Sequence, residues 1–307
     1  MRIAFFSEVG NHEPWQRYTR YFPNARTEIA WCIALDAPMC SLIDVPKEDF
    51  DLGIVIIPKS NPNIDLKPIK EICTKVAVMQ EGPHWYFQDY NIQQQFHYYN
   101  VLRSADMVYC HNESDVSYYL GLGCKDVRVM RSLMIPEDLV PRSEWGNGTM
   151  IGGNFVSWYG GFDSYIVAKE IGHPISAPSM GRKQEQEDAI EDINYLPYMS
   201  WRDWITTLGQ YNIGIHLMRT HAAGTFAMNC AYHGIPCIGY KGLDTQQILH
   251  PKLTVEVGDL ETARELARRL ADSNEFYEFC SDVAIKRFAA NYSEDAWKRN
   301  WSLKNGN

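Results

Sequence analysis

The sequence predicts an α/β fold made of two successive domains, each built on a parallel sheet. Short apolar runs with strand character alternate with segments of helical periodicity along the whole chain. No two strand segments are joined by the tight turn of a β-hairpin, so we expect the strands to run parallel. The alternation stops at a connection rich in Pro and Gly, LMIPEDLVPRSEWGNG (133–148), and then starts again. At 307 residues the chain is long enough for two domains of about 150 residues each.

The elements of the first block follow from local composition. Strands are predicted where apolar and β-branched residues cluster, at 2–7, 52–58, 75–79, 107–110 and 127–130. Helical segments are predicted at 16–22, 66–73, 91–104 and 113–122, with a further apolar run at 29–35.

The second block repeats the pattern. Strands are predicted at 150–157, 175–178, 193–196, 213–218, 235–240 and 253–257. Helices are predicted at 162–171, 201–208, 225–233, 244–249, 260–273 and 274–291, and 185–191 forms a helix or a charged loop. The domains are therefore predicted at 1–145 and 146–290, with 291–307 as a closing segment.

Composition restricts the class of protein. With 45% hydrophobic residues, 22% charged residues and a net charge of −9, the chain has the composition of an ordinary soluble globular protein. Its apolar runs are shorter than the roughly 18 residues that a membrane span requires, and its first residues show no signal-peptide pattern. We therefore expect a cytoplasmic protein. The acidic balance also argues against a continuous nucleic-acid-binding surface.

The eight cysteines form no C-x-x-C pair and no cluster with zinc-ligand spacing. Most of them lie in apolar strand or helix segments. We interpret them as small buried side chains rather than as metal ligands.

Residues 211–240, YNIGIHLMRTHAAGTFAMNCAYHGIPCIGY, carry the clearest functional signal. They predict a buried strand, a polar glycine-containing loop, a short helix and a second strand. The free N–H groups at the start of such a helix form an anion site, so a phosphorylated ligand is expected there. Polar loops also follow strands at 8–14, 80–90 and 157–161. Because the carboxyl ends of parallel strands lie at one edge of a sheet, we expect these loops to converge on one cleft.

Three segments in order resemble the GT-B glycosyltransferases, most closely the retaining glycosyltransferase family 4. The loop QEGPHWYFQDY (80–90) and the shortened domains also resemble glycosyltransferases encoded by bacteriophages. The segments are RSADMVYCHNESDVSYYLGLGCKDVRVM (103–130), INYLPYMSWRDWITTLGQYNIGIHLMRTHAAGTFAMNCAYHGIPCIGYKG (193–242) and NYSEDAW (291–297). The resemblance implies two Rossmann-like domains facing across a cleft, with a C-terminal helix that crosses back to the first domain. It places the acceptor in the first domain and the donor nucleotide sugar in the second.

The resemblance assigns roles residue by residue. When Gly234 is aligned with the end of the family's glutamate motif, His221 falls at the first glutamate position and Asn229 at the second, while Gly224 keeps a family glycine. The second position implies contact with the donor ribose, which Asn229 can make as both donor and acceptor. Arg219 falls where the family often has a basic residue near the diphosphate.

The candidate donor-binding residues are Gly10, Gly160, Gly161, Arg182, Lys183, Tyr198, Arg219, Gly224, Thr225 and Asn229. Arg219, Arg182 and Lys183 would supply charge to the phosphates, and the paired glycines would allow close backbone approach.

The loop QEGPHWYFQDY (80–90) supplies candidate acceptor residues. An aromatic ring there stacks on a sugar, and a carboxylate or an imidazole binds or deprotonates a hydroxyl. The acceptor-binding candidates are His12, Trp85 and Asp89. The catalytic candidates are Glu81, His84 and His221, and the sequence leaves the choice between Glu81 and His84 open.

The predicted activity is transfer of a hexosyl or pentosyl group from a nucleotide-diphosphate sugar to a hydroxyl. The resemblance implies retention of anomeric configuration, no essential metal and no cofactor besides the donor substrate. The acceptor is left open between a glycan, a small molecule and a hydroxymethylated base in phage DNA, without stable membrane insertion. Two alternatives remain: a GT-B-like protein that binds nucleotide sugars without catalysis, and a nucleotide-sugar epimerase.

Overall fold

A computed structural model of the chain describes residues 1–8, 15–59, 61–153, 155–156, 158–178, 187 and 190–305. The chain divides into two compact units by its contacts. The first comprises Met1–Ile135, His221–Ala223 and Glu294–Asn307, and the second comprises Pro136–Thr220 and Gly224–Ser293. The sequence prediction places the domain limits at 145 and 290, whereas the contacts divide the chain after Ile135 and after Ser293.

The first unit is built on a sheet of seven described strands in the order β2-β3-β1-β4-β5-β6-β7. Their bounds are β1 Ile3–Ser7, β2 Trp15–Gln16, β3 Met39–Ser41, β4 Phe50–Ile57, β5 Cys73–Gln80, β6 Met107–Cys110 and β7 Val127–Val129. The neighbouring strands pair in parallel, except that β2 pairs with β3 in the antiparallel sense at the edge. The apolar side chains of β4 and β5 are almost continuously buried, as expected of strands covered on both faces.

The helices of the first unit are α1 Thr27–Ala34, α2 Lys67–Ile72, α3 Ile92–Ser104, α4 Glu113–Gly121 and α11 Glu294–Asn305. The closing helix α11 is anchored in this unit at two points. The Glu294 carboxylate accepts from Arg20 at 2.6 Å, and the Trp297 indole N–H donates to the carbonyl of Arg131 at 2.8 Å. Its Trp297 and Trp301 rings stack with centroids 5.5 Å apart.

The second unit contains a six-stranded parallel sheet in the order β10-β9-β8-β11-β12-β13. The strands are β8 Thr149–Ile151, β9 Ile175–Ala177, β10 Ile193–Tyr195, β11 Ile213–His216, β12 Cys237–Tyr240 and β13 Thr254–Val255. The helices are α5 Gly161–Ala168, α6 Trp201–Leu208, α7 Thr225–Tyr232, α8 Asp244–Leu249, α9 Leu260–Asp272 and α10 Asn274–Asn291. In the described residues no helix is both long enough and apolar enough to cross a membrane.

Two local predictions differ from the structure, and a third falls largely on residues that the structure does not describe. Residues 16–22 were expected to begin a helix, but Trp15–Gln16 pairs with Met39–Ser41 as a short edge strand, and turns follow it. The strand predicted at 150–157 ends at Ile151, because Gly152 and Gly153 bend the chain there. The segment 185–191 lies largely outside the described residues.

The prediction for the cysteines is confirmed. All eight are buried, and none is part of a disulfide bond. Burial raises the pKa of the Cys40 thiol to about 12, so this side chain stays protonated and behaves as a small apolar group.

Candidate functional site

Two loops of the first unit bring polar side chains to the carboxyl ends of adjacent strands. After β5 the chain passes through Glu81 and forms a short 3₁₀ helix, His84–Asp89. After β6, Asn112 precedes helix α4, and Asp115 lies in its first turn. Because β5 and β6 are parallel neighbours, the start of α4 lies next to the 3₁₀ helix.

The side chains of these loops form a cluster around the Asp115 carboxylate. His84 Nδ1 lies 3.1 Å from Asp115 Oδ1, and His221 Nδ1 lies 3.7 Å from the same oxygen. Asn112 Nδ2 donates to Asp115 Oδ2 at 3.1 Å and to the carbonyl of Ala222 at 3.1 Å. Two predicted catalytic residues, His84 and His221, are thus brought together by an aspartate that the sequence did not single out. We call Asn112, Asp115, His84 and His221 the imidazole cluster.

Asp115 is ionised at neutral pH although its side chain is only 5% exposed. Burial by itself raises the pKa of its carboxyl group, but the contacts with His221, His84 and Asn112 outweigh burial and hold that pKa well below its usual range. The imidazole cluster therefore contains one fixed negative charge.

The other residues predicted in loop 80–90 lie outside this cluster. Glu81 contacts Lys59, with 3.5 Å between Oε1 and Nζ, and its other oxygen accepts from the Lys59 backbone N–H at 3.2 Å. The Trp85 ring is partly buried and lies 6.2 Å from the ring of Tyr86. Asp89 is exposed at the end of the 3₁₀ helix. The sequence left the choice between Glu81 and His84 open. His84 and His221 both lie near the Asp115 carboxylate, whereas Glu81 contacts Lys59 instead.

In the second unit the N-terminus of α5 packs directly against the chain that leaves β11. Gly160, the residue before the helix, has a φ of 64°, and a Cβ there would lie 2.0 Å from the Leu217 carbonyl oxygen. The Ser164 hydroxyl donates to the Gly160 carbonyl and accepts from the Leu217 N–H, both at 2.9 Å. Only glycine fits this close backbone approach, and the first turn of α5 contacts the chain after β11 through Asp163 and Arg219.

Arg219 is held at this position by a carboxylate and a tyrosine. Its Nη2 lies 3.0 Å from Asp163 Oδ2, and the Tyr240 hydroxyl donates to the same oxygen at 3.1 Å. Burial raises the pKa of Tyr240 to about 12, and the charge of Asp163 adds to the effect, so the hydroxyl remains a donor. The Arg219 side chain is 58% exposed, so its guanidinium is accessible to an anionic ligand.

The second predicted anion site is the N-terminus of α7. Gly224 precedes this helix with a φ of 63°, and a Cβ there would lie 2.2 Å from Thr245 Oγ1. Thr225 is the first residue of the helix and is partly exposed. Asn229 is 2% exposed; with its amide oriented so that both ends are paired, it accepts from Trp204 Nε1 at 3.1 Å and donates to the Thr225 carbonyl at 3.2 Å. The Asn229 amide is therefore engaged within the second unit.

The remaining candidates are placed separately or not described. Tyr198 lies between β10 and α6 and is 76% exposed. Gly10, His12, Arg182 and Lys183 lie outside the described residues.

Sequence reasoning missed Asp115 and Asp163. Each is an acidic residue in the first turn of a helix that follows a parallel strand. Acidic residues at this position usually stabilise the helix N-terminus. The sequence alone therefore gives no sign that they also hold another side chain. Their partners come from distant parts of the chain: His84 is 31 positions from Asp115, and Arg219 is 56 positions from Asp163.

Comparison with solved structures identifies the fold. The chain is similar to TarM from S. aureus, determined with fondaparinux, alpha-GlcNAc-glycerol and UDP, with a TM-score of 0.63, 10% identity, and coverage of 82% of this chain and 55% of TarM. It is also similar to the sucrose-phosphate synthase of Thermosynechococcus elongatus, with a TM-score of 0.71, 12% identity, and coverage of 98% and 97%. A third similar structure is the E. coli trehalose-6-phosphate synthase bound with UDP-2-fluoro glucose. Its TM-score is 0.68 at 10% identity, and the match covers 99% of each chain.

These proteins are GT-B glycosyltransferases, and the two parallel, Rossmann-like sheets give this chain the same fold. The chain spans about half the length of TarM and nearly all of the other two. No family model matches the sequence, and no curated protein sequence matches it with significance.

Proposed function

We propose that the protein is a glycosyltransferase that moves a sugar from a nucleotide-diphosphate donor to an acceptor hydroxyl. The observation that carries the proposal is the GT-B fold over 98–99% of the chain, shared with two glycosyltransferases, one of which was determined with UDP-2-fluoro glucose bound. In this fold class the donor binds beyond the carboxyl ends of the strands of a parallel sheet. Helices α5 and α7 begin at that edge of the second unit.

The second unit provides the chemistry that a diphosphate requires. The N-termini of α5 and α7 offer first-turn backbone N–H groups and the positive end of the helix dipole. Arg219 adds a permanent positive charge that forms charge-assisted hydrogen bonds with phosphate oxygens. In this proposal these groups bind the diphosphate and stabilise it as it leaves.

The first unit provides side chains that can bind hydroxyl groups and exchange protons with them. The imidazoles of His84 and His221 lie at one carboxylate, and an imidazole is the side chain best suited to exchange a proton with a hydroxyl near neutral pH. We propose that transfer proceeds with retention and without an essential metal, as the family resemblance implies. The acceptor is proposed to be a glycan, a small molecule or a hydroxymethylated base in DNA.

The first test is donor binding. UDP-, GDP-, ADP- and CDP-sugars are added to the purified chain, and the thermal unfolding midpoint is measured. A bound donor at about 100 times its Kd stabilises the fold by about 2.7 kcal/mol, which raises the midpoint by several degrees. The stabilising donor is then incubated with the acceptor classes, and NMR of the product reports its anomeric configuration. If no donor shifts the midpoint and none is hydrolysed, the proposed function is wrong.

Arg219 offers a sharper test with a matched control. We expect Arg219→Ala to weaken binding of the preferred nucleotide diphosphate about tenfold or more, since a hydrogen bond to a charged group is lost. Arg264→Ala removes a similarly exposed arginine from an ion pair with Glu170 in the same unit, and should leave the affinity unchanged. Equal affinities of the two variants, measured by calorimetry, would show that Arg219 does not contact the diphosphate.

A second candidate, nucleotide-sugar binding without turnover, is favoured by one observation. Asn229 occupies the position of a family glutamate, and its amide is already paired with Trp204 and Thr225. This candidate predicts donor binding with neither hydrolysis nor product in any acceptor pool. An epimerase would instead convert the donor to an isomer without an acceptor, so chromatography of the same reactions separates the three activities.

A further inference from the structure

In the imidazole cluster, one histidine ring is held by a hydrogen bond at Nδ1, and a second ring lies farther from the same carboxylate oxygen. His84 approaches Asp115 Oδ1 with Nδ1 at 3.1 Å, within hydrogen-bond distance. His221 also turns Nδ1 toward this oxygen, at 3.7 Å, and the same nitrogen lies 3.5 Å from Ser114 Oγ. The His84 ring is further held by Tyr118, whose ring centroid is 4.3 Å away. The His84 ring is therefore oriented by its Nδ1 edge.

The chemistry of the carboxylate determines which nitrogen carries the proton. An ionised carboxylate only accepts hydrogen bonds, so the His84 Nδ1 that contacts it must be the protonated nitrogen of the neutral ring. The hydrogen bond of one ring nitrogen sets the state of the other. In neutral His84, Nε2 is consequently left with a lone pair, and the side chain is 21% exposed.

We infer that Asp115 is a positioning residue that presents His84 Nε2 as a hydrogen-bond acceptor for a hydroxyl group of the sugar or of the acceptor. The inference rests on the proposed function for the identity of the ligand. Asp115 itself does not touch the ligand in this arrangement, because both of its oxygens are engaged by His84, Asn112 and His221.

The cluster selects a neutral ligand group. A lone pair on Nε2 attracts an O–H donor, whereas a phosphate oxygen has no proton to donate at neutral pH when ionised. The fixed charge of Asp115 also repels an anion, and this repulsion is strengthened by burial. We therefore expect His84 to bind a hydroxyl-bearing part of a substrate rather than a phosphate.

The first experiment measures the tautomer directly and does not depend on activity. The full chain is labelled with ¹⁵N-histidine, and the ring nitrogens are observed by long-range ¹⁵N–¹H correlation between pH 6 and 9, with His84→Gln to assign the signal. We expect neutral His84 to carry its proton on Nδ1. A proton on Nε2 in the wild-type protein would overturn the inference, whatever the protein binds.

Variants then connect the tautomer to function. In Asp115→Asn the preference for Nδ1–H should disappear, and donor hydrolysis or transfer should slow by about tenfold or more, while the affinity for the nucleotide diphosphate stays within about twofold. Asp126→Asn is the matched control, because it also removes one carboxylate from the first unit, from an ion pair with Arg128. It should change neither the tautomer nor the rate.

The outcomes separate the inference from the proposed function. If the tautomer is as expected but no nucleotide sugar binds, the positioning role stands and the proposed function is wrong. If donors bind and Asp115→Asn reacts at the wild-type rate, the role of Asp115 in presenting His84 is wrong and the proposed function stands.

Discussion

Two glycines with left-handed backbone conformations differ in what surrounds them. Gly160 and Gly172 have φ values of 64° and 71°. An added Cβ would lie 2.0 Å from the Leu217 carbonyl oxygen at position 160, and would meet nothing within 4 Å at position 172. The conformational strain of an alanine is therefore similar at the two sites, and only Gly160 adds a steric conflict.

We expect Gly172→Ala to lower the free energy of unfolding by about 1 kcal/mol through strain alone. Gly160→Ala should cost about 1–3 kcal/mol more, since α5 or the chain after β11 must move. Urea denaturation at neutral pH measures both values. Equal losses for the two variants would show that the close approach at Gly160 does not exist in solution.

Asn229 allows a structural role to be separated from ligand binding. Asn229→Ala leaves Trp204 Nε1 and the Thr225 carbonyl without this partner, so we expect a loss of about 1–3 kcal/mol in the free energy of unfolding. Asn291→Ala, which removes one exposed bond to the Arg287 carbonyl, should cost much less. If Asn229→Ala is as stable as Asn291→Ala, the amide is not used in the core and its predicted role at the ribose gains support.

At the scale of elements, one arginine ties the start of the second unit to three other segments. Arg142 donates to the carbonyls of Tyr211, His233 and Gly234 at 2.8–2.9 Å and to the Tyr277 hydroxyl at 2.6 Å. These acceptors lie after α6, after α7 and on α10. The guanidinium thus satisfies carbonyl groups in the turns that follow two helices.

We expect Arg142→Met to lower the free energy of unfolding by about 2–4 kcal/mol, because several partly buried acceptors lose their donor at once. Arg287→Met removes a single exposed bond to the Ile248 carbonyl in the same unit and should cost under about 1 kcal/mol. Chemical denaturation of both proteins tests this. A similar midpoint for the two variants would contradict the cooperative role of Arg142.

The sequence predicted best the elements whose pattern of apolar residues matches their burial in the structure. Strands β4 and β5 are continuous apolar runs and are buried along most of their length. The helix expected at 16–22 does not begin there, because Trp15–Gln16 pairs with β3 instead. Strand β3 has only three residues, Met39–Ser41, too few to show a period of two.

The candidate site was only partly predictable for a related reason. His84, His221 and Arg219 stood out because their residue types suggest chemistry and each follows a strand. Asp115 and Asp163 resembled ordinary residues of a helical first turn, and only the tertiary structure shows which side chains they hold. First-turn acids after parallel strands are therefore worth examining as positioning residues whenever a histidine or an arginine follows a neighbouring strand.

At the scale of the whole molecule, buried histidines link stability to pH. His216, His233 and His250 are all buried in the second unit, and burial lowers the pKa of each to about 4. In the unfolded chain these groups have a pKa of about 6.5. Between pH 6.5 and 4 the unfolded state thus binds more protons than the folded state, so stability rises with pH across this window and is lost as the pH falls.

We expect the urea midpoint to be clearly lower at pH 5.0 than at pH 7.5, with each histidine contributing up to about 1.4 kcal/mol per pH unit within the window. Asp115 also destabilises the fold as the pH falls, but below about pH 4, because its pKa in the folded protein lies below its pKa in the unfolded chain.

The variant His250→Gln tests one of the three histidines. It keeps a donor for the Ala227 carbonyl and removes one titrating group, so its stability should depend less steeply on pH. Equal urea midpoints at the two pH values would mean that the three rings are hydrated in solution. If the stability of His250→Gln depends on pH as steeply as that of the wild type, His250 does not contribute to the effect.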